Sequence, residues 1–448
     1  FKSKNYNNQF RESLVKEIGN QYKGIKLSEI QKQNINKLLE KDTYTITTGH
    51  QLNLLTGPLY FIYKIISTIN LSETLKKNYP EFDFVPIYWM ASEDHDFDEI
   101  NNFSFQGSKF KWSSNQTGVV GEFKLDSIDN VLSEFEKFIS DFPYGNEIIK
   151  IFRECYLNSN DLSNATRKLV NILFAKYGLI IIDANNKNLK SLFRDLIKKE
   201  LNEKFIFNKS KKSIKRLNEL KYNLQANPRE INLFYIHDKK RERIIEKGNL
   251  FQTSNGSKKW NLEEIQDDVN LNPEKFSPNV LFRPIFQEFI LPNICYVGGP
   301  AEVAYWLELK SVFESLNLTF PLILNRNSAL LLEKKQIDKL NKLNVSIEEI
   351  FLPKKQLKEN LVRKYSKLKL DFTNLKQQLN NQFSELKDKA IHTDKSFIGA
   401  LNAQEQKQIN GLKMLEKRLL KSEQRIHQDK INKVLEIRDE SFPGGKPQ

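Results

Sequence analysis

Thr45-Ile46-Thr47-Thr48-Gly49-His50-Gln51, then Thr56-Gly57-Pro58-Leu59-Tyr60, is the stretch that decides the fold of this chain. It is echoed by Phe84-Val85-Pro86-Ile87-Tyr88-Trp89-Met90 running into Ala91-Ser92-Glu93-Asp94-His95-Asp96-Phe97-Asp98-Glu99. Twice, a short strand runs into a dense polar cluster. In an open α/β sheet, ligands collect at the carboxyl ends of strands. Two of the five histidines, His50 and His95, fall at those ends. The pattern reads as an enzyme with a polar pocket at the edge of a sheet.

Working outward, strand and helix patterns alternate from residue 43 to about residue 200. The sequence predicts strands at 44–48, 84–90 and 178–183, with helices over 58–77 and 162–177. Pro58 suits a first helical turn. The alternation returns late, with strands at 293–297 and 320–324 around a Gly298-Gly299-Pro300 turn and a helix over 301–316. Parallel strands with helical crossovers are the natural assembly. Residues 1–42 read as a polar helical arm. Between 201 and 275 a hairpin around Asp238-Lys239-Lys240 suggests a small insertion. After Pro353, Leu361, Tyr365, Leu368, Phe372, Leu375 and Leu379 make a heptad seam. Leu412, Leu415, Leu419, Ser422 and Ile426 make a second, beyond a break near His392-Thr393-Asp394-Lys395. The expected domains are a core over 1–200, an insertion over 201–275, core completion over 276–350 and an antiparallel coiled coil over 351–448.

Composition excludes several classes. Of 448 residues, 39% are hydrophobic, and 31 are Phe, enough for a real core. Two cysteines, Cys155 and Cys295, cannot make a disulfide framework and fit a reducing cytoplasm. They read as core residues. No apolar run approaches a membrane span. Phe1-Lys2-Ser3-Lys4-Asn5 leads into no apolar segment, so no signal peptide is expected. The net charge of +14 raises nucleic acid as a partner. The basic residues are spread along the chain, however, and a basic coiled-coil nucleic-acid-binding protein is only the alternative reading. His237, His392 and His427 read as loop or surface residues.

The clusters have a chemical logic. The glycines of Gly49-His50-Gln51 and Thr56-Gly57 let backbone approach a ligand, and the helix start beyond them suits an anion. No Walker or dinucleotide fingerprint is present. In the second cluster, carboxylates beside His95 can orient its ring or hold Mg²⁺ beside a nucleotide. Tyr296-Val297-Gly298-Gly299-Pro300-Ala301-Glu302 repeats the strand, glycine, proline, helix design. Glu302 and Tyr305 lie one turn apart. Arg283, in Arg283-Pro284-Ile285-Phe286-Gln287-Glu288, suits a carboxylate or phosphate, and Arg326, at a strand end, is a further candidate.

Taken in order, these motifs, with Arg283-Pro284 and Tyr305-Trp306, resemble the cysteine-adding enzymes (cysteine ligases) of bacillithiol synthesis over nearly the whole chain. The resemblance implies a Rossmann-like, nucleotidyltransferase-type α/β core, a small connecting domain and a C-terminal coiled coil that helps form a homodimer. It implies the last step of bacillithiol synthesis, joining the carboxyl group of cysteine to the amine of glucosaminyl malate. It also implies ATP, with Mg²⁺ as a companion, bound by the loop from Gly49 to Pro58. The catalytic candidates are His50, Asp94 and His95. The nucleotide- and substrate-binding candidates are Gly49, Gln51, Thr56, Gly57, Tyr60, Ser92, Glu93, Asp96, Arg283, Gln287, Tyr296, Gly298, Gly299, Glu302, Tyr305 and Arg326. No dedicated metal site is expected. Members of that family continue past a segment like Pro443-Gly444-Gly445, so the chain reads as a piece that can lack a terminal element packed on the core.

Overall fold

β-Branched and aromatic residues dominate 43–48 and 84–89, a composition suited to a packed pleated surface. Both stretches are strands, β1 (Thr43–His50) and β2 (Asp83–Met90). The computed structural model describes residue 4, residues 6–391 and residues 395–442. Seven of the eight residues of each strand are buried, as parallel strands covered on both faces require. They pair in parallel and in continuous register, from Thr43 opposite Asp83 to His50 opposite Met90.

The remaining strands follow in chain order. β3 (Asn102–Phe105) and β4 (Ser108–Lys111) form a small hairpin. β5 (Ile180–Asp183) lies beside β2. It pairs with β2 only from Ile87 onward. Pro86 therefore sits where β2 has a neighbour on one side alone, which is where a strand tolerates proline. β6 (Leu233–His237), β7 (Lys240–Lys247), β8 (Leu250–Thr253), β9 (Lys259–Trp260) and β10 (Phe276–Pro278) make a separate antiparallel sheet in the order β10-β6-β7-β8-β9. The β6–β7 turn is Asp238-Lys239, with φ of 45° and 56°, the left-handed pair that a tight two-residue hairpin needs. β11 (Asn293–Gly298) and β12 (Leu322–Asn325) complete the main sheet.

The main sheet has the order β12-β11-β1-β2-β5, all parallel. From β1 the chain moves to one side through β2 and β5. It then returns to the other side of β1 with β11 and β12. The strand order thus reverses between β1 and β11, and a crevice opens there at the carboxyl ends.

Several expectations are corrected. The N-terminal helical arm is less polar in its packing than its composition suggests. Its helices Asn8–Gln21 and Glu29–Lys37 bury Leu14, Ile18 and Ile35 in the main core. Gln21 clamps the end of β5, donating to Asp183 O at 2.8 Å and accepting from Asp183 N at 2.9 Å. The helix expected from Pro58 starts at Tyr60. The insertion closes with β10, past residue 275.

Two compact units divide at Asn327 and Ser328. The second begins before residue 351 because Leu340, Val345 and Ile350 share a core with Leu357, Leu361, Ile431 and Val434. The first heptad seam is not one helix. Helix Lys354–Tyr365 ends, and helix Thr373–Ala390 begins, so the seam breaks across Leu368. Helix Lys395–Ile426 runs antiparallel to Thr373–Ala390, with ion pairs Lys376–Glu416 and Lys387–Glu405 fixing the register. Helix Gln428–Ser441 follows. The break expected at His392-Thr393-Asp394, the segment 443–448, and Phe1, Lys2, Ser3 and Asn5 lie outside the described residues. Among the described residues no helix is long and apolar enough to cross a membrane.

Candidate active site

Gly49 opens the crevice between β1 and β11. A Cβ at Gly49 would stand 3.0 Å from Tyr296 Oη and 3.6 Å from Arg283 Nη1, so a side chain there would crowd Tyr296 and touch Arg283. Arg283 starts the helix Arg283–Ile290. It donates to Gln287 Oε1 at 3.0 Å and to Tyr305 Oη at 3.1 Å. Its guanidinium also lies 5.5 Å from the centre of the Tyr296 ring. Tyr296 donates to Glu302 Oε1 at 2.7 Å, and Gly299 N donates to Glu302 Oε2 at 2.7 Å. This single carboxylate therefore ties the glycine turn to the strand before it.

Lys64, on the helix Tyr60–Asn78, completes the network. Its ammonium pairs with Glu302 Oε2 at 2.6 Å and donates to Gly49 O. Burial alone would raise the Glu302 carboxyl. Lys64, the Gly299 N–H and Tyr296 outweigh it and hold that carboxyl below its ordinary value. Burial pulls Lys64 down, and Glu302 only partly offsets this.

His50 packs against Tyr60 and Phe61, with ring centroids at 5.5 Å and 5.1 Å. Burial, then Lys64 and Arg326, push its imidazole well below the usual range, so it is neutral at pH 7. Its Nε2 is sealed without a protein hydrogen-bond partner. Arg326 follows β12, donates from its backbone to Gly298 O at 2.8 Å, and lies 5.2 Å from the Tyr60 ring. The turn from β1 to the helix is tight. Leu55, Thr56 and Gly57 all have positive φ, and a Cβ at Gly57 would stand 2.4 Å from Asn53 Cβ.

Gln51 links this crevice to the second cluster. Its Nε2 donates to Asp94 Oδ2 at 2.7 Å and to Glu99 Oε2 at 2.8 Å. Asp94 Oδ1 accepts from His95 N at 2.7 Å and Asp96 N at 3.4 Å. His95 Nδ1 lies 3.0 Å from Arg241 Nη1, an arginine of β7. Burial and then Arg241 push His95 below its ordinary value.

The remaining candidates divide. Ser92 and Glu93 turn toward the end of β5, where Ser92 donates to Asp183 and Glu93 pairs with Lys190. Asp96 is exposed; its amide donates to Asp94, and its carboxylate acts on His95 through its charge. Gly49, Arg283, Gln287, Tyr296, Gly299, Glu302 and Tyr305 form one connected network. His237, read as a loop or surface residue, instead ends β6 and is buried. Its Nε2 lies 2.6 Å from Glu242 and its Nδ1 3.2 Å from Asp238. His427 lies 3.7 Å from Glu423 and 6.0 Å from the Tyr365 ring; His392 is outside the described residues. Burial pushes both cysteine thiols up to about 12, which suits core residues.

Sequence reading missed Lys64, Asp183, Lys190 and Arg241. Lys64 left a signal, because it lies on the same helical face as Phe61, Ile65 and Thr68, which is buried. A lysine on an apolar face needs a partner. Arg241 left none, since its role depends on how the small sheet packs.

This arrangement defines a class: a Rossmann-like α/β unit with a cationic crevice at its switch point, followed by a coiled-coil unit. Residues 1–327 match the family described as the bacillithiol biosynthesis BshC N-terminal Rossmann-like domain, and residues 329–448 its C-terminal coiled-coil domain. The chain belongs to the BshC family of bacillithiol biosynthesis. Among its relatives is a Flavobacterium johnsoniae protein named "Putative cysteine ligase BshC", 46% identical over 447 residues, covering 100% of this chain and 84% of that one. A protein of the same name from Christiangramia forsetii is 47% identical over 446 residues, covering 99% and 83%. One from Bacillus cytotoxicus is 27% identical over 461 residues, covering 98% and 84%.

Proposed function

We propose that this chain is a ligase that joins the carboxyl group of cysteine to the glucosamine amine of glucosaminyl malate, forming a carbon–nitrogen bond in the cytoplasm. The observation that carries the reading is the crevice, where Lys64 pairs with Glu302 and the charges of Arg283 and Arg326 also act on Lys64. The excess of positive charge suits anionic substrates, and malate brings two carboxylates. The names of the relatives point the same way.

A carboxylate does not condense with an amine unaided. ATP, when bound, supplies the activation and the leaving group. The residues fit a polyphosphate: the crevice is cationic, and the buried His50 Nε2 has no protein partner. Gly49, His50 and Gly57 would line the phosphates, and Arg283 or Arg326 would hold a malate carboxylate.

The amine must lose a proton to attack. Asp94 is the base of choice. Its two oxygens accept from Gln51, His95 N and Asp96 N, and still leave lone pairs for a proton. A positioned base contributes about 10²–10⁴-fold. Two copies would pair through the coiled coil, where Leu368, Leu375 and Leu415 are each about half exposed.

The test is product formation followed by mass spectrometry, with cysteine, glucosaminyl malate and Mg²⁺, ATP present or omitted. A cysteinyl amide formed only with ATP supports the whole reading. An amide formed without ATP removes the nucleotide, and no amide in either condition overturns the ligase assignment.

A further inference from the structure

The small sheet brings a charged side chain, Arg241, to the site. All three of its nitrogens are committed. Nε donates to Ser277 Oγ at 2.9 Å, Nη2 to Pro278 O at 2.9 Å, and Nη1 meets His95 Nδ1 at 3.0 Å. The guanidinium lies 4.0 Å from the centre of the Phe234 ring, which in turn lies 5.6 Å from the His95 ring. An arginine can only donate. His95 Nδ1 must therefore accept, and the ring proton must sit on Nε2.

The hairpin that carries Arg241 is itself pinned. Thr117 Oγ1 donates to Lys239 O at 3.1 Å. Gly118 lies so close to the turn that a Cβ would stand 2.5 Å from Lys239 O. Two residues on, Val120 N donates to Asp94 O at 2.7 Å. One segment thus sets the positions of both Arg241 and Asp94.

We propose that Arg241 is a positioning residue for the reaction: it fixes His95 as the tautomer with its proton on Nε2, so that His95 offers a donor to an acceptor oxygen of the substrate while Asp94 serves as the base. The proposal rests on the ligase reading for its substrate, but not for its geometry. A planar guanidinium can serve Ser277, Pro278 and His95 at once, and an ammonium cannot. The charged groups facing His95 are Arg241 from β7 and Asp94 and Asp96 from its own loop. The two carboxylates favour a charged ring, and Arg241 opposes them.

The experiment uses the full chain labelled with ¹⁵N-histidine. Two-bond ¹H–¹⁵N correlation reports which ring nitrogen carries the proton, and His95→Gln identifies the His95 signals by their loss. The wild type should show Nδ1 bare and Nε2 protonated at neutral pH. In Arg241→Gln the two tautomers should mix and His95 should titrate at higher pH. The rate constant kcat should fall about tenfold or more, as for a lost charge-assisted hydrogen bond. Arg241→Lys should not restore it. If Arg241→Gln does not fold, Ser277→Ala, which removes the anchor of Nε, is read in the same way. A protonated Nδ1 in the wild type, or unchanged tautomer and titration in the folded variants, overturns the proposal. Absence of product from the wild type overturns the ligase reading alone, and the tautomer measurement still decides the role of Arg241.

Discussion

The crevice between β1 and β11 and the loop after β2 end at the same edge of one sheet, yet they are built in opposite ways. The crevice gathers distant residues, Lys64, Arg283, Tyr296 and Glu302, into a buried network that closes on itself. The loop has its charges adjacent in sequence, and they stay in partial contact with water. The side chains of Asp94 and His95 are 27% and 44% exposed. What orders the loop is borrowed: Gln51 from just past β1, Lys190 and Asp183 from the region of β5, and Arg241 from the small sheet. Burial organises the first site and outside partners organise the second. The first should therefore couple activity to stability, and the second should separate them.

The largest separation is expected at Asp94. Asp94→Asn keeps the shape and removes the base, so kcat should fall about 10²–10⁴-fold. Because the residue is partly exposed, unfolding in urea should shift by less than about 1 kcal/mol. A stability loss as large as the activity loss would erase the distinction between the two sites.

Lys64 tests the other side. Lys64→Ala leaves the Glu302 carboxylate against Tyr296 and Gly299 without its cation. Breaking a buried pair from one side typically costs 3–5 kcal/mol, and about 3 kcal/mol is expected because Glu302 keeps some contact with water. Product formation should be lost as well. The measurement is urea unfolding beside the product assay. A cost under about 1 kcal/mol would make the crevice no more preorganised than an exposed ion pair.

The same contrast explains what the sequence made legible. β1, β2 and β11 could be read because buried parallel strands carry continuous apolar or β-branched runs, and the glycines at their ends mark close approaches. Arg283, Tyr296 and Glu302 could be singled out because they flank such ends. Which groups they meet could not be read, since Lys64 and Glu302 are joined only by the packing of two helices. Arg241 was invisible for the same reason: an arginine in a hairpin of mixed charge looks like solvated surface until β10 supplies Ser277 and Pro278. The heptad seam misled across Leu368, because spacing records which residues repeat and not where the backbone leaves the helix.

Glu200 sharpens the comparison with the smallest effect, since it tethers the sheet from which the loop borrows Arg241. It is fully buried and accepts from Asn232 N at 3.0 Å, Asn232 Nδ2 at 2.8 Å and Ile206 N at 3.1 Å, just ahead of β6. Burial pushes its carboxyl from 4.5 up to about 7, because these hydrogen bonds only partly offset the loss of water. The folded state thus holds this proton more tightly than the unfolded chain. Its contribution is complete below about pH 4.5 and is lost as pH rises through about 7. Between about pH 5 and 7 the wild type should lose on the order of 2 kcal/mol from this group, at ~1.4 kcal/mol per pKa unit. Glu200→Gln cannot ionise. It should cost stability at acid pH through one missing acceptor, but flatten the slope relative to the wild type. If loosening this tether also loosens Arg241, the His95 tautomer ratio in the wild type should drift over the same pH range, while the Lys64–Glu302 crevice should not respond. Parallel slopes for wild type and Glu200→Gln would remove Glu200 from the account and leave the small sheet held by its other contacts.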